Sequence, residues 1–134
     1  MTYLLDTNVC VQYLRGRNSS VLQRLRNTPT QDVHLCSVVK AELLLGALRS
    51  AKPDDNWAKV VAFLQPYESL PFGDEAAFIQ ARIRHELEQA GTPIGPYDLP
   101  IAAIARANDQ TLVTHNTNEF SRMPHLSSED WENP

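Results

Sequence analysis

Three carboxylates in separate segments of the chain stand among apolar residues. Asp6 ends the apolar run YLLD, Glu42 lies within SVVKAELLLG, and Asp98 opens DLPIAAIA. An isolated carboxylate in apolar surroundings is costly, so each should be paired, protonated or bound to a cation. Carboxylate oxygens are ligands that suit Mg²⁺ or Mn²⁺, ions that can orient a water molecule against a phosphodiester. The three residues together predict a divalent-metal site for hydrolysis.

Each of these acids also has a simpler structural explanation. Asp6 and Asp98 lie where helices are expected to begin, and aspartate is a favoured N-cap that the helix macrodipole stabilises. Glu42 could lie at the rim of the apolar face of its helix, within reach of water. These alternatives stay open for each acid taken alone, but three such coincidences are harder to accept than one shared site.

Apolar runs along the chain predict alternating strands and helices. The predicted strands are TYLLD, VHLCS, a segment around YESLPF, and TLVT. The predicted helices are NVCVQYLRG, SSVLQRLRN, VVKAELLLGALRS, DNWAKVVAFLQ, DEAAFIQARIRHELEQAG and YDLPIAAIARAND, with a turn or short helix at NTNEF. This alternation predicts an α/β fold with a mostly parallel sheet flanked by helices on both faces. Sites in such sheets form at the carboxyl ends of the strands, where Asp6 is expected to lie.

Length and composition restrict the class of protein. The chain has 134 residues, of which 43% are hydrophobic and 21% charged, as expected for one globular domain over residues 1–134. It has no apolar run long enough for a membrane span and no secretory signal pattern, so we expect a soluble cytoplasmic protein. Cys10 and Cys36 lack metal-ligand spacing and are expected to be reduced packing residues.

Basic residues are concentrated near the start of a chain whose net charge is −4. Residues 1–50 contain six basic and three acidic residues. Four arginines form a predicted RNA-binding or partner-binding patch: Arg15, Arg17, Arg24 and Arg26. A solvated helix face explains the same arginines equally well.

Five segments, in order, resemble the PIN-domain ribonucleases: LLDTN, SVVKAELLLG, PIGPYDLPIAAIA, LVTHNTNEFSRM and LSSEDW. The resemblance runs from end to end and is strongest to the virulence-associated protein C (VapC) toxins of bacterial type II toxin–antitoxin systems. It implies a PIN-like fold and an endoribonuclease that uses Mg²⁺ or Mn²⁺.

The resemblance also implies roles for individual residues. Asp6, Glu42 and Asp98 match the acidic cluster that holds the metal and positions the attacking water. The residues implied to support these acids are Asn8, Ser37, Thr114, Asn116 and Glu119. Many PIN domains have an aspartate where this chain has Asn116, so the fourth acid is missing at its usual place. Glu119, in the next turn, is the candidate replacement.

The partners implied by the resemblance are an antitoxin of the VapB type that covers the acidic site, a second copy of the chain, and an RNA substrate. The anticodon loop of initiator tRNA is the favoured substrate. A housekeeping RNA-processing PIN nuclease and a non-catalytic RNA-binding module remain as alternatives. An aspartyl-nucleophile phosphatase would usually have a second aspartate at position 8, which here is Asn8. His115 adjoins the site in sequence and is a candidate general acid.

Overall fold

The computed structural model describes residues 1–95 and 98–133, and within them the strands form one five-stranded sheet. The strands are β1 (Tyr3–Leu5), β2 (Val33–Cys36), β3 (Glu68–Leu70), β4 (Thr111–Val113) and β5 (Ser128–Glu129). Their order is β3-β2-β1-β4-β5, and every pairing is parallel. The predicted parallel α/β sheet is confirmed. The pattern of apolar runs did not predict β5, which has only two residues.

Helices connect the strands, as parallel pairing requires. They are α1 (Thr7–Arg15), α2 (Ser19–Asn27), α3 (Ser37–Leu48), α4 (Pro53–Leu64), α5 (Asp74–Gln89), α6 (Asp98–Ala107) and α7 (Thr117–Phe120), with a 3-10 turn at Thr30–Asp32. The predicted helices are present. The predicted last residue of α6, Asp109, instead has a positive φ of 52° beyond the end of the helix. Pro96 and Tyr97, inside the segment PIGPYD, lie outside the described residues, as does Pro134.

The central strand and the helix that follows it show why Asp6 lies at the edge of the sheet. Leu4 and Leu5 are fully buried, because β1 lies between β2 and β4 and is covered on both faces. The Asp6 side chain then accepts a hydrogen bond from the backbone N–H of Val9, 3.2 Å away, and begins α1. Gly16 ends this helix with a left-handed φ of 62°. The capping explanation for Asp6 is therefore correct, and it does not conflict with a place in an acidic site.

The core extends from the sheet into α6 and the C-terminal segment. Every residue from Ile101 to Ala105 is buried, so α6 is enclosed on all sides below Asp98. Trp131 is also buried and packs edge-on against Tyr3, with ring centroids 5.2 Å apart. Cys10 and Cys36 are free thiols inside this core. None of the helices in the described part of the chain is long and apolar enough to cross a lipid bilayer.

Candidate active site

Asp6 lies directly after β1 and is almost completely buried, with 8% of its surface exposed. Burial raises the pKa of its carboxyl group. The Thr114 hydroxyl interacts with this carboxylate and, together with the backbone N–H of Val9, opposes the rise in pKa, whereas the negative charge of Glu132 adds to it. Thr114 therefore stands beside the acid that it was predicted to support.

Glu42 projects from α3, and its two carboxylate oxygens have different surroundings. Oε2 accepts a hydrogen bond from the hydroxyl of Thr7 at 2.7 Å. Oε1 is buried and has no hydrogen-bond partner among the residues that the structure describes. A buried acceptor without a donor is costly, and a cation would remove that cost. This oxygen is the feature of the site that best fits a metal ligand.

Asp98 is the first residue of α6 and is partly buried. Desolvation, together with the negative charges of Glu119, Asp6 and Glu42, raises the pKa of its carboxyl group to about 6. Acids from four elements therefore act on one another electrostatically at this end of the sheet. Such mutual repulsion favours either a shared proton or a bound cation.

Glu119 stands in the part of the site where the fourth acid was missing. Its Oε1 accepts the backbone N–H of Gly95 at 3.2 Å, and its Oε2 accepts the side-chain amide of Asn116. The Glu119 carboxylate also interacts directly with that of Asp98. The backbone N–H of Asn116 is held in turn by the Thr114 hydroxyl at 3.0 Å. The predicted supporting residues Thr114, Asn116 and Glu119 thus form one connected group.

The other two predicted supporting residues, Asn8 and Ser37, do not belong to this group. Asn8 and Ser37 are exposed, and within residues 1–95 and 98–133 neither side chain forms a hydrogen bond with an acid of the site. The hydroxyl that does contact Glu42 belongs to Thr7, to which the sequence analysis gave no role. Its position directly after Asp6 was the available signal.

His115 lies at the border of the site and forms a second cluster with two acids. Its Nδ1 is 3.0 Å from Oδ2 of Asp130 and 3.6 Å from Oε2 of Glu132. Glu132 also influences Asp6, so the two clusters are neighbours. The imidazole is 61% exposed, whereas both acids are largely covered. Sequence reasoning gave no role to Asp130 and missed Glu132.

The spacing of the ligands restricts how a cation could be held. In the described ranges, His115, Asp130 and Glu132 are the one set whose three ligand atoms all lie within 4.8 Å of one another. The ligand atoms of Asp6, Glu42 and Asp98 do not all lie within that distance of one another. Mg²⁺ usually keeps several waters and needs only one or two carboxylates, so the wider arrangement fits a hydrated ion.

The four predicted patch arginines have different surroundings. Arg24 forms an ion pair with Glu129 at 3.1 Å and lies over the ring of Trp131, 5.1 Å from its centroid. Arg15 lines a groove that also contains Glu42 and Lys59. Arg17 and Arg26 are exposed.

The sequence matches the PIN domain family over residues 3–126. It is 36% identical over 131 residues to the tRNA(fMet)-specific endonuclease VapC of Salmonella typhimurium, covering 98% of each chain. It is 38% identical over 133 residues to ribonuclease VapC2 of Rickettsia felis, covering 98% of this chain and 99% of that protein.

Solved structures show the same similarity. VapBC from Salmonella typhimurium bound to DNA includes a chain that superposes with a TM-score of 0.91 at 35% identity and 98% coverage of both chains. VapBC2 from Rickettsia felis bound to a DNA fragment from its promoter gives a TM-score of 0.88 at 38% identity, covering 98% of this chain and 99% of that one.

Proposed function

Because the chain belongs to the PIN domain family, we propose that it is a divalent-metal-dependent endoribonuclease, the toxin of a toxin–antitoxin pair. The observation that carries the proposal is the buried Glu42 Oε1, which has no hydrogen-bond partner among the described residues, in a site where desolvation and the charges of Glu119 and Asp6 raise the pKa of Asp98. Similarity over nearly the whole chain to proteins named as ribonucleases supports RNA as the substrate.

Asp6, Glu42 and Asp98 would hold the cation. Bound there, it would supply Lewis acidity, which would make an attacking water more acidic and offset the charge that develops on the phosphate. Hydroxyl groups position two of these acids: Thr7 donates a hydrogen bond to Glu42, and the Thr114 hydroxyl interacts with Asp6. Water is the nucleophile in this proposal, so no covalent intermediate with the enzyme is needed.

Glu119 takes the place of the missing fourth acid in the proposed site. Asn116 and the Gly95 backbone hold it beside Asp98, where its charge favours a cation. The lack of an aspartate at Asn116 favours a non-catalytic RNA-binding module, because it removes one acid from the site. With Glu119 beside Asp98, that feature no longer argues against catalysis.

The proposed partners are an antitoxin, a second copy of the chain and a tRNA. Both solved relatives described above are VapBC complexes, and the Salmonella relative is named for cleavage of tRNA(fMet). A group of carboxylates is a natural target for an arginine from a covering antitoxin segment, because guanidinium and carboxylate groups form paired hydrogen bonds. We therefore assign initiator tRNA as the first substrate to test.

The decisive experiment is cleavage of purified initiator tRNA with and without EDTA, with the new RNA ends mapped. The Glu42→Gln variant should lose cleavage, because an amide keeps the shape of the side chain but not its charge. The matched control is Glu86→Gln, which changes an exposed glutamate on α5. If Glu42→Gln cleaves tRNA and unrelated RNAs as well as the wild-type protein does across a Mg²⁺ titration, the proposed site is wrong.

A further inference from the structure

Thr7 and Glu42 are 35 residues apart in sequence, yet the Thr7 hydroxyl donates to Oε2 of Glu42 at 2.7 Å. That bond uses one lone pair of Oε2 and orients the carboxylate, whereas Oε1, which is buried and unpartnered within the described residues, keeps both lone pairs for a ligand of the site. We propose that Thr7 determines the metal selectivity of the site by keeping Glu42 a one-oxygen ligand. The inference rests on the proposed role of Glu42 as a metal ligand.

The position of Thr7 makes its hydroxyl available for this purpose. Thr7 is the first residue of α1, but the cap of that helix is Asp6, which accepts the backbone N–H of Val9. The hydroxyl is therefore not needed to cap α1. Threonine is β-branched and restricted about χ1, so the bond to Glu42 costs little side-chain entropy. A hydroxyl that donates to a carboxylate forms a stronger hydrogen bond than one between neutral groups.

The two oxygens of a free carboxylate allow it to bind a cation through one atom or through both. Ca²⁺ accepts two-oxygen carboxylates and six to eight ligands in flexible geometry, whereas Mg²⁺ requires an almost ideal octahedron. A glutamate with one oxygen already hydrogen-bonded to Thr7 is poorly suited to two-oxygen binding. The Thr7–Glu42 contact should therefore favour Mg²⁺ or Mn²⁺ over Ca²⁺.

The test is to measure dissociation constants for Mg²⁺, Mn²⁺ and Ca²⁺ by calorimetry, in the absence of RNA. Thr7→Val removes the hydroxyl and keeps the branched shape, whereas Thr7→Ser keeps the hydroxyl. For Thr7→Val we expect Mg²⁺ binding to weaken by about 10-fold, as is typical when a residue that orients a metal ligand is lost. Ca²⁺ binding should be retained or tightened. Thr7→Ser should keep the wild-type preference.

A matched control and one further variant separate the possible causes. Thr28→Val removes a hydroxyl that donates to the backbone carbonyl of Arg24 at 2.7 Å, and it should change neither affinity. If Thr7→Val lowers Mg²⁺ and Ca²⁺ affinity equally, or changes neither, the selectivity role is wrong. If Thr7→Val does not fold, Thr7→Ala measured against Thr7→Ser makes the same comparison. Glu42→Gln tests the underlying proposal: unchanged metal affinity in that variant would remove Glu42 from the site altogether.

Discussion

The side-chain amide of Asn116 donates a hydrogen bond to the carboxylate of Glu119, one turn along α7. Many PIN domains have an aspartate at this position, which adds an acid to the site. In this chain Asn116 instead holds the acid Glu119 by a hydrogen bond. Glu119 also accepts the Gly95 backbone N–H and raises the pKa of Asp98. Asn116 therefore acts on the site through Glu119, and a change at position 116 should alter how Glu119 is held.

Asn116→Asp should lower the stability of the metal-free protein and increase its response to Mg²⁺. The substitution replaces a donor with a second negative charge beside Glu119, so we expect a loss of about 1 kcal/mol in the free energy of unfolding without metal. A cation would relieve that repulsion. Thermal unfolding in EDTA and across a Mg²⁺ titration measures both effects. Asn118→Asp, an exposed change on the same helix, is the control. If Mg²⁺ stabilises Asn116→Asp no more than it stabilises the wild-type protein, the prediction is wrong.

Asp6→Asn should abolish RNA cleavage and leave the fold intact. Asparagine is as good an N-cap as aspartate, so α1 keeps its cap. Burial raises the pKa of Asp6, and Glu132 raises it further, so removal of this charge should leave the free energy of unfolding unchanged or increase it. Cleavage assays and denaturant unfolding check the two parts. Full metal-dependent cleavage by the variant would show that Asp6 is not part of the machinery.

The stability of the metal-free protein should fall as the pH rises from about 4 to about 6, because of Asp98. Its pKa is about 6 in the folded protein, above the ordinary value of 3.8, so the folded protein holds a proton that the unfolded chain releases in this window. Asp98→Asn should flatten the dependence. The control is Asp74→Asn, the exposed first residue of α5. Melting temperatures in EDTA from pH 4 to pH 7.5 give the comparison, and equal slopes for wild type and Asp98→Asn would refute it.

The same proton should compete with the cation. Below pH 6, each unit of decrease should weaken Mn²⁺ binding by about tenfold, because Asp98 must lose its proton before it can act as a ligand. Binding at pH 5, 6 and 7 measures this directly. A dissociation constant that does not vary over this range would mean that Asp98 is not a ligand of the bound ion.

The parallel α/β fold class and the three candidate acids were predictable from sequence because their signals are local. Asp6 follows a buried strand, and Asp98 opens a helix that is buried on all sides below it. The residues that hold the acids were not equally accessible, because their contacts join distant segments. Thr7 contacts Glu42 across 35 residues, and Gly95 contacts Glu119 across 24. The hydrophobic periodicity of a single sequence gives no information about contacts between residues so far apart.

The cluster of His115, Asp130 and Glu132 could not be predicted from the sequence for a related reason. β5 has two residues, too few to show alternation, yet its pairing with β4 leads directly to Asp130 and Glu132. His115 lies two residues after the end of β4, and its Nδ1 contacts both acids. The resemblance included the segment LSSEDW, but without the sheet register no pairing of His115 with Asp130 could be inferred.

Substitutions of Arg24 and of Arg26 should have different effects on the free energy of unfolding, although both arginines belong to the predicted patch. Arg24 is paired with Glu129 and stacked on Trp131, so Arg24→Gln should lower the free energy of unfolding by about 1 kcal/mol. Arg26 is exposed, and Arg26→Gln should leave stability unchanged. If either arginine contacts an RNA phosphate, its loss should reduce the slope of log affinity against log salt by roughly 0.7 to 0.9.

The double variant of Arg24 and Arg26 should therefore weaken RNA binding and flatten its salt dependence, without change in Mn²⁺ affinity. Binding is measured at several salt concentrations in an Asp6→Asn background, so that the RNA stays whole. The double variant Arg82→Gln and Arg84→Gln, which removes the same two charges from exposed positions on α5, is the control for net charge. Antitoxin pull-down and light scattering test the other role of this surface. Lost antitoxin binding or altered size, with normal RNA binding, would make it a partner surface; no change in any measurement would make it a solvated face.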